Sequence, residues 1–306
     1  MNIISTIIPI FAVIILGWLA RWKGFIQPNF LAPANRLVYY LAIPAMIFHL
    51  ISKASLKAQF DSLVLAITLL SVIAVFAVSW STGWMIRVER KQLGTFIQCS
   101  FHGNLGYIGL AVAYYHLGNQ GFVRAGILAG FIMILQNLLA VVALQFNAES
   151  TTLRKNRRDI FFRILGNPVI VSALAGILYS LTGLAVPLIV DRSLAILSGL
   201  ALPMALLIIG ASLSFEMMQL RMLRVLSTAG MKLILLPGLG LVLYRLCGSA
   251  FQDYLPGLIL LASPSATLTY IMAKEMKGDT DFAVAAISIS TILSAITFSI
   301  WLMIAG

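Results

Sequence analysis

Charge is what this sequence has least of. Only 10% of its 306 residues are Asp, Glu, Lys or Arg, against 60% hydrophobic, and the mean hydropathy is +0.99. So little polar surface cannot face water all round, which excludes a soluble domain and leaves an integral membrane protein. Cysteine is almost as scarce. Cys99 falls inside an apolar run and Cys247 near the end of another, neither in a CxxC nor beside a His cluster, so no metal, redox centre or cofactor is expected. Carboxylates are missing from the centres of the apolar runs. Asp61, Asp159, Asp253, Asp279 and Asp281 fall at ends or in loops, as do Glu89, Glu149, Glu216 and Glu275, which argues against an ion exchanger built on buried acids. HExxH, P-loop and GxSxG patterns are absent, so an intramembrane enzyme lacks its parts.

What charge there is leans positive. The formal net charge is +11, from 21 Lys and Arg against 10 Asp and Glu. No basic stretch is interleaved with aromatics, so the excess is assigned to cytoplasmic loops and not to nucleic acid. With about 20 apolar residues to a span, ten spans can be drawn, near 4–22, 30–51, 62–85, 94–117, 121–146, 167–185, 191–213, 224–246, 254–275 and 281–304. The first has no cationic segment before it and reads as a span and not a cleaved signal. If both termini are outside, the inner connections carry fourteen Lys and Arg and the outer ones five, with Arg36 and Lys232 inside spans. That split sets both termini outside and 148–163 as a cytoplasmic basic loop.

The chain repeats itself. A shift of 159 lays Gly17, Gly24, Pro28, Leu41, Ala42 and Pro44 on Gly176, Gly183, Pro187, Leu200, Ala201 and Pro203. A shift of 160 lays Ala113, Gly118, Phe122 and Ala125 on Ala273, Gly278, Phe282 and Ala285, and Asn104 on Pro264. The expected domains are therefore a first five-helix repeat over 1–147, the loop, and a second over 164–306. An odd number of spans per half makes the second inverted relative to the first. The fourth and ninth spans also carry matching breaks, Gly103-Asn104-Leu105-Gly106 and Ser263-Pro264-Ser265, poor material for a continuous helix. In lipid an unwound backbone must be satisfied by protein or a cavity, and broken helices at corresponding places point to a transporter's binding site.

Several residues at and near the breaks could carry the chemistry. Asn104 can cap the second half of span four or contact ligand, and the two roles coexist. Ser265 and Thr267, just past Pro264, either cap a half-helix or line the site. Gly106 allows close backbone approach. Tyr107 is either a substrate contact or a packing aromatic with a satisfied hydroxyl. Asn137, with Gln136, either faces the site or bonds between helices, and Thr297 stands opposite Asn137 in the repeat. His102 is the candidate titrating or coupling group, with a structural role as its alternative. Lys232 is read as snorkelling from two turns inside span eight. Gly126 and Gly130 read as close helix packing, and Pro44 and Pro203 as kinks.

Leu16-Gly17-Trp18-Leu19, Asn35-Arg36-Leu37-Val38-Tyr39-Tyr40 and Leu41-Ala42-Ile43-Pro44-Ala45 resemble the opening of the auxin efflux carrier family. So do Asn104-Leu105-Gly106-Tyr107-Ile108-Gly109, Pro203-Met204-Ala205, Ile209-Gly210-Ala211-Ser212-Leu213, Lys232 with Pro237, and the runs from Pro264 to Asp279 and from Ser290 to Ser294. The resemblance covers the whole chain and is nearest to compact bacterial members, among them malate and malonate permeases. It implies an all-α protein of ten helices, crossed at spans four and nine, in which spans 3–5 and 8–10 move as an elevator against spans 1, 2, 6 and 7. Ala111 stands where the family usually has proline, which sets the chain apart from the plant auxin carriers.

The expectation is a secondary transporter of small organic carboxylate anions in the bacterial cytoplasmic membrane, its site at the crossover of helices 4 and 9. The rivals are a sodium-coupled carrier of bile-acid type on the same fold, and a non-transporting receptor or channel. A homodimer is compatible with the sequence and not specified by it. Two half-helix N-termini, each worth roughly half a positive charge, are expected after Asn104 and after Pro264. With no Lys or Arg assigned to either break, the bound substrate is expected to be a monoanion.

Overall fold

The computed structural model describes residues 3–53, 60–147, 167–214 and 222–305. The loop expected at 148–163 lies outside the described residues, as do Asp159, Glu149 and Glu216. The described residues are all-helical and form no strand. In order they form α1 (Ile3–Trp22), α2 (Pro28–Ile51), α3 (Ser62–Met85), α4 (Arg90–Phe101), α5 (Leu110–Asn147), α6 (Pro168–Leu181), α7 (Leu188–Ser212), α8 (Met222–Leu246), α9 (Phe251–Ala262), α10 (Leu268–Glu275) and α11 (Thr280–Ala305). Among the described residues six stretches are long and apolar enough to cross a membrane: α2, α3, Leu105–Asn147, α7, α8 and α11. The spans expected at 94–117 and 254–275 are not continuous helices. Each is interrupted, after Phe101 and after Ala262, where the sequence places its breaks. α5 is two helices meeting at Gly118, whose φ of 66° is open to glycine.

Element bounds repeat along the chain. α4 and α9, both of 12 residues, start and end 161 positions apart. The helices before them, α3 and α8, start 160 apart. Positive-φ residues recur at the same places: Gly24 after α1 and Gly183 after α6, Arg87 after α3 and Gly248 after α8.

The chain forms two compact units, and each takes segments from both halves of the sequence. The first holds the described residues of Met1–Asp61, Gly106–Phe131 and Phe161–Ser212. In it α1 packs on α7, and α2 packs on α6 and α7. The approach of α1 to α7 is close enough to require glycine. A Cβ on Gly17 would stand 2.2 Å from the Leu207 carbonyl oxygen, and one on Gly210 would stand 1.8 Å from that of Ile14. The repeat mates make a looser version of this contact: a Cβ on Gly176 would meet Ile51 at 3.0 Å and Phe48 at 3.5 Å. In the same unit Gly126 faces Ile51 and Gly130 faces Ala173 at ordinary van der Waals distance. Asp191, in the first turn of α7, is held by Lys53 at 2.5 Å and His49 at 3.3 Å.

The second unit holds the described residues of Ser62–Leu105, Ile132–Ile160 and Leu213–Gly306. There α3 packs against α4, α8 and α9, and α11 against α8, α9 and α4. α8 contains a π-helical turn, Met231–Leu235, just before Pro237. Proline has no N–H, so the carbonyl four residues back loses its helical donor. That carbonyl is Leu233 O, and Trp301 Nε1 of α11 donates to it at 2.7 Å. Pro44 likewise follows a π-turn, Val38–Ala42, whereas Pro203 lies inside the continuous helix α7.

Candidate functional site

Two helices end facing each other's exit inside the second unit. α4 stops at His102 (φ −77°, ψ 99°) and α9 at Ser263 (φ −61°, ψ 143°), both extended. The extended residues then pair as an antiparallel β-bridge centred on Gly103 and Ser265. Asn104 N–H donates to Pro264 O at 2.7 Å, and Ala266 N–H to His102 O at 2.9 Å. Proline suits this place because the bridge uses only its carbonyl. Gly103 is favoured sterically: a Cβ there would lie 2.6 Å from Ser263 Oγ and 3.2 Å from Lys232 Cε.

A helix end within a membrane must have its last carbonyls satisfied, and here side chains do it. Ser265 Oγ donates to Cys99 O at 2.8 Å, and Gln136 Nε2 to Phe101 O at 3.1 Å. Lys232 Nζ donates to Leu261 O at 2.7 Å, and Ser263 Oγ to Leu260 O at 2.6 Å. The extended N–H groups are met from the long helices that follow each break. Gly103 N–H goes to Gln136 Oε1 at 3.3 Å on α5, and Ser265 N–H to Ser290 Oγ at 3.1 Å on α11.

One feature corrects the sequence reading. Lys232 does not snorkel: it is 0% exposed and its ammonium reaches the second break. It stands ten residues into α8, about 15 Å along the axis, deeper than a lysine stem can reach back. That depth was legible. The π-turn in which it sits shifts the phase of the helix, a device common at functional sites. With Lys232 in place, the premise that no cation stands at either break fails. Gln136 takes the second of its two expected roles, bonding between helices: it clamps the first break through both ends of its amide, while its neighbour Asn137 is half-buried.

The structure brings His102, Asn104, Pro264 and Ser265 together within this unit. Asn104 is 6% exposed, and its Nδ2 has no hydrogen-bond partner. The Ser265 hydroxyl is committed to the Cys99 carbonyl, and Thr267 begins α10 without a side-chain cap, half-buried. His102 is buried, with Nδ1 3.3 Å from Gln98 Nε2. Tyr107 and Gly106 belong to the other unit, in the π-turn Leu105–Gly109, where the Tyr107 hydroxyl donates to Asn35 Oδ1 at 2.5 Å. Thr297 Oγ1 is buried without a partner.

At the N-terminal end of α4 a polar chain ties three elements of the second unit. Arg224 donates to Gln92 Oε1 at 2.9 Å, and Gln92 Nε2 to Asp279 Oδ2 at 2.9 Å. Asp279 Oδ1 caps α11 by accepting from Phe282 N–H at 3.0 Å.

The model of a family described as membrane transport protein matches residues 2–302. Relatives align over nearly the full length. An "uncharacterized transporter" of Methanothermobacter thermautotrophicus is 24% identical over 97% of this chain and 96% of its own. A "putative malonate transporter" of Rhizobium meliloti is 24% identical over 97% of this chain and 93% of its own. An "uncharacterized transporter" of Escherichia coli K12 is 21% identical over 98% and 97%.

Proposed function

The chain belongs to the auxin efflux carrier family of membrane transport proteins, and from that premise we propose a secondary transporter of small organic carboxylate anions whose site is the break at Asn104 and Pro264. The observation that carries this reading is the Asn104 amide. Around it the backbone of both breaks is hydrogen-bonded, yet Asn104 Nδ2 is buried with no partner. A buried donor left unmade costs about 1–3 kcal/mol, a cost offset when a ligand oxygen accepts from it. Ser265, Thr267, Asn137 and His102 complete the proposed surroundings within the second unit. The malonate named for the Rhizobium relative supports a carboxylate as substrate.

The architecture we propose is two inverted five-helix repeats, 1–147 and 164–306, joined by a cytoplasmic loop at 148–163, with both termini outside the cytoplasmic membrane. Its support is the repeated element bounds and positive-φ positions. An elevator mechanism is supported by the grouping of α1, α2, α6 and α7 in one compact unit and α3, α4 and α8 to α11 in the other, although Gly106–Phe131, expected to move with the second group, belongs to the first unit. A sodium-coupled mechanism is less favoured, because the carbonyls of Cys99, Phe101 and Leu261 already accept side-chain hydrogen bonds.

Counterflow in proteoliposomes tests the reading. Protein reconstituted with internal unlabelled malonate is expected to accumulate external labelled malonate transiently. A channel gives no such overshoot, and absence of exchange for malonate, malate and succinate would end the carboxylate assignment.

A further inference from the structure

Gln98 stands one turn before His102 on α4 and is wholly buried. Its amide nitrogen lies 3.3 Å from His102 Nδ1 and 3.2 Å from Met272 Sδ of α10, while its Oε1 is buried without a partner. A thioether sulfur can only accept, so the amide is turned with Nε2 toward both neighbours. His102 Nδ1 is then the acceptor of an N–H. A ring whose Nδ1 accepts is neutral and carries its proton on Nε2. A buried imidazolium would call for a carboxylate partner, and none of the ion pairs among the described residues includes His102.

The extended backbone decides which face this donor shares. Successive side chains of an extended segment alternate between faces. The face of Gly103 is filled, since a Cβ there would meet Ser263 Oγ at 2.6 Å and Lys232 Cε at 3.2 Å. His102 and Asn104 take the opposite face. There Asn104 Nδ2 is buried with no partner, and no partner for His102 Nε2 is found among the described residues. Two N–H donors rooted about 6.6 Å apart along the chain are left to an acceptor that the described residues do not supply. From this arrangement we infer that His102 binds the transported anion as a neutral Nε2–H donor, on the same face as the Asn104 amide, and that Gln98 is the positioning residue that holds the ring in that tautomer. This deepens the transporter reading and rests on it. It also takes His102 out of proton coupling: with Nδ1 bonded to Gln98 and the Nε2 proton given to the anion, the ring neither gains nor loses a proton in the transport cycle.

Purified full-length protein in detergent, labelled with ¹⁵N at histidine, tests this. Long-range ¹H–¹⁵N correlation spectra report the tautomer of each ring, and His102 is assigned by its absence from the His102→Gln spectrum. The ring is expected in the Nε2–H form, and saturating malonate (malate or succinate where malonate does not bind) should move its Nε2 resonance. By calorimetry, affinity for the same ligand should fall about tenfold to a hundredfold in His102→Leu, the range for a hydrogen bond to a charged group. Part of the loss should be recovered in His102→Gln, whose amide restores an N–H near the place of Nε2. Gln98→Leu leaves Nδ1 without its donor, so both tautomers should appear in the ligand-free spectrum, and ligand should draw the ring back to the Nε2–H form. A wild-type ring in the Nδ1–H or doubly protonated form, or an Nε2 resonance unmoved at saturation, overturns the role of His102 and leaves the transporter reading standing. A single Nε2–H tautomer kept in Gln98→Leu overturns the part given to Gln98. A wild type that binds none of malonate, malate and succinate overturns the carboxylate reading itself.

Discussion

Asn104 donates its backbone N–H to the carbonyl of Pro264 at 2.7 Å, so the residue that leads out of one broken helix is fastened to the proline of the other. The fastening uses the main chain alone. The Asn104 side chain is left buried and without a partner, which separates the residue's structural part from its proposed binding part. Asn104→Ala should therefore insert and fold with a melting temperature close to wild type while malonate affinity falls about tenfold or more. Normal uptake at equal expression would reduce the side chain to a bystander.

Gly103 is the steric counterpart. A Cβ there meets Ser263 Oγ at 2.6 Å, and overpacking of this kind costs about 1–3 kcal/mol. Gly103→Ala should lower thermal stability, and Ser263→Ala in the same chain should restore part of the loss. A double variant no more stable than Gly103→Ala would place the strain elsewhere, with Lys232 Cε at 3.2 Å the next contact.

The α1–α7 contact and the looser α6–α2 contact together give a graded series. Added Cβ atoms would stand 1.8 Å from the nearest atom at Gly210, 2.2 Å at Gly17 and 3.0 Å at Gly176. The first two meet backbone, which cannot rotate away; the third meets the Ile51 side chain. Alanine at 210 should be the most destabilising and alanine at 176 the least, by thermal unfolding in detergent. The reverse order would mean that α1 and α7 part readily.

Orientation is tested by labelling. With Cys247, which is exposed, replaced by Ser, a Ser150→Cys variant should react with a membrane-impermeant maleimide only after cells are opened. The fourteen inner basic residues against five outer ones predict this. Reaction in intact cells would invert the topology.

The Arg224–Gln92–Asp279 chain has one member that bonds both ways. Gln92→Leu removes the acceptor for Arg224 and the donor to Asp279 together. It should cost about 1–3 kcal/mol of stability through the two hydrogen bonds lost together. Gln92→Glu keeps the bond to Arg224 and opposes Asp279, so it should be the more harmful if Asp279 is the stronger constraint.

What the sequence determined by itself was the environment, the helical class and the places where helices fail. Scarce charge decides for the bilayer whatever the packing, and Gly103, Gly106 and Pro264 disfavour a continuous helix locally. The matched Gly and Pro positions were legible because residues at positive-φ, close-approach and helix-start positions are hard to replace. Tertiary structure decided which side chains serve the breaks. Gln136 and Asn137 are neighbours about 100° apart on one helix, and only the rotation of α5 in its unit turns Gln136 to Gly103 and Phe101. Lys232 lies 29 positions from Leu261 in the chain, and its reach to that carbonyl depends on how α8 lies on α9 and on the π-turn before Pro237. Local propensity reads where a backbone must open. Which charge waits at the opening is set by packing between elements distant in sequence.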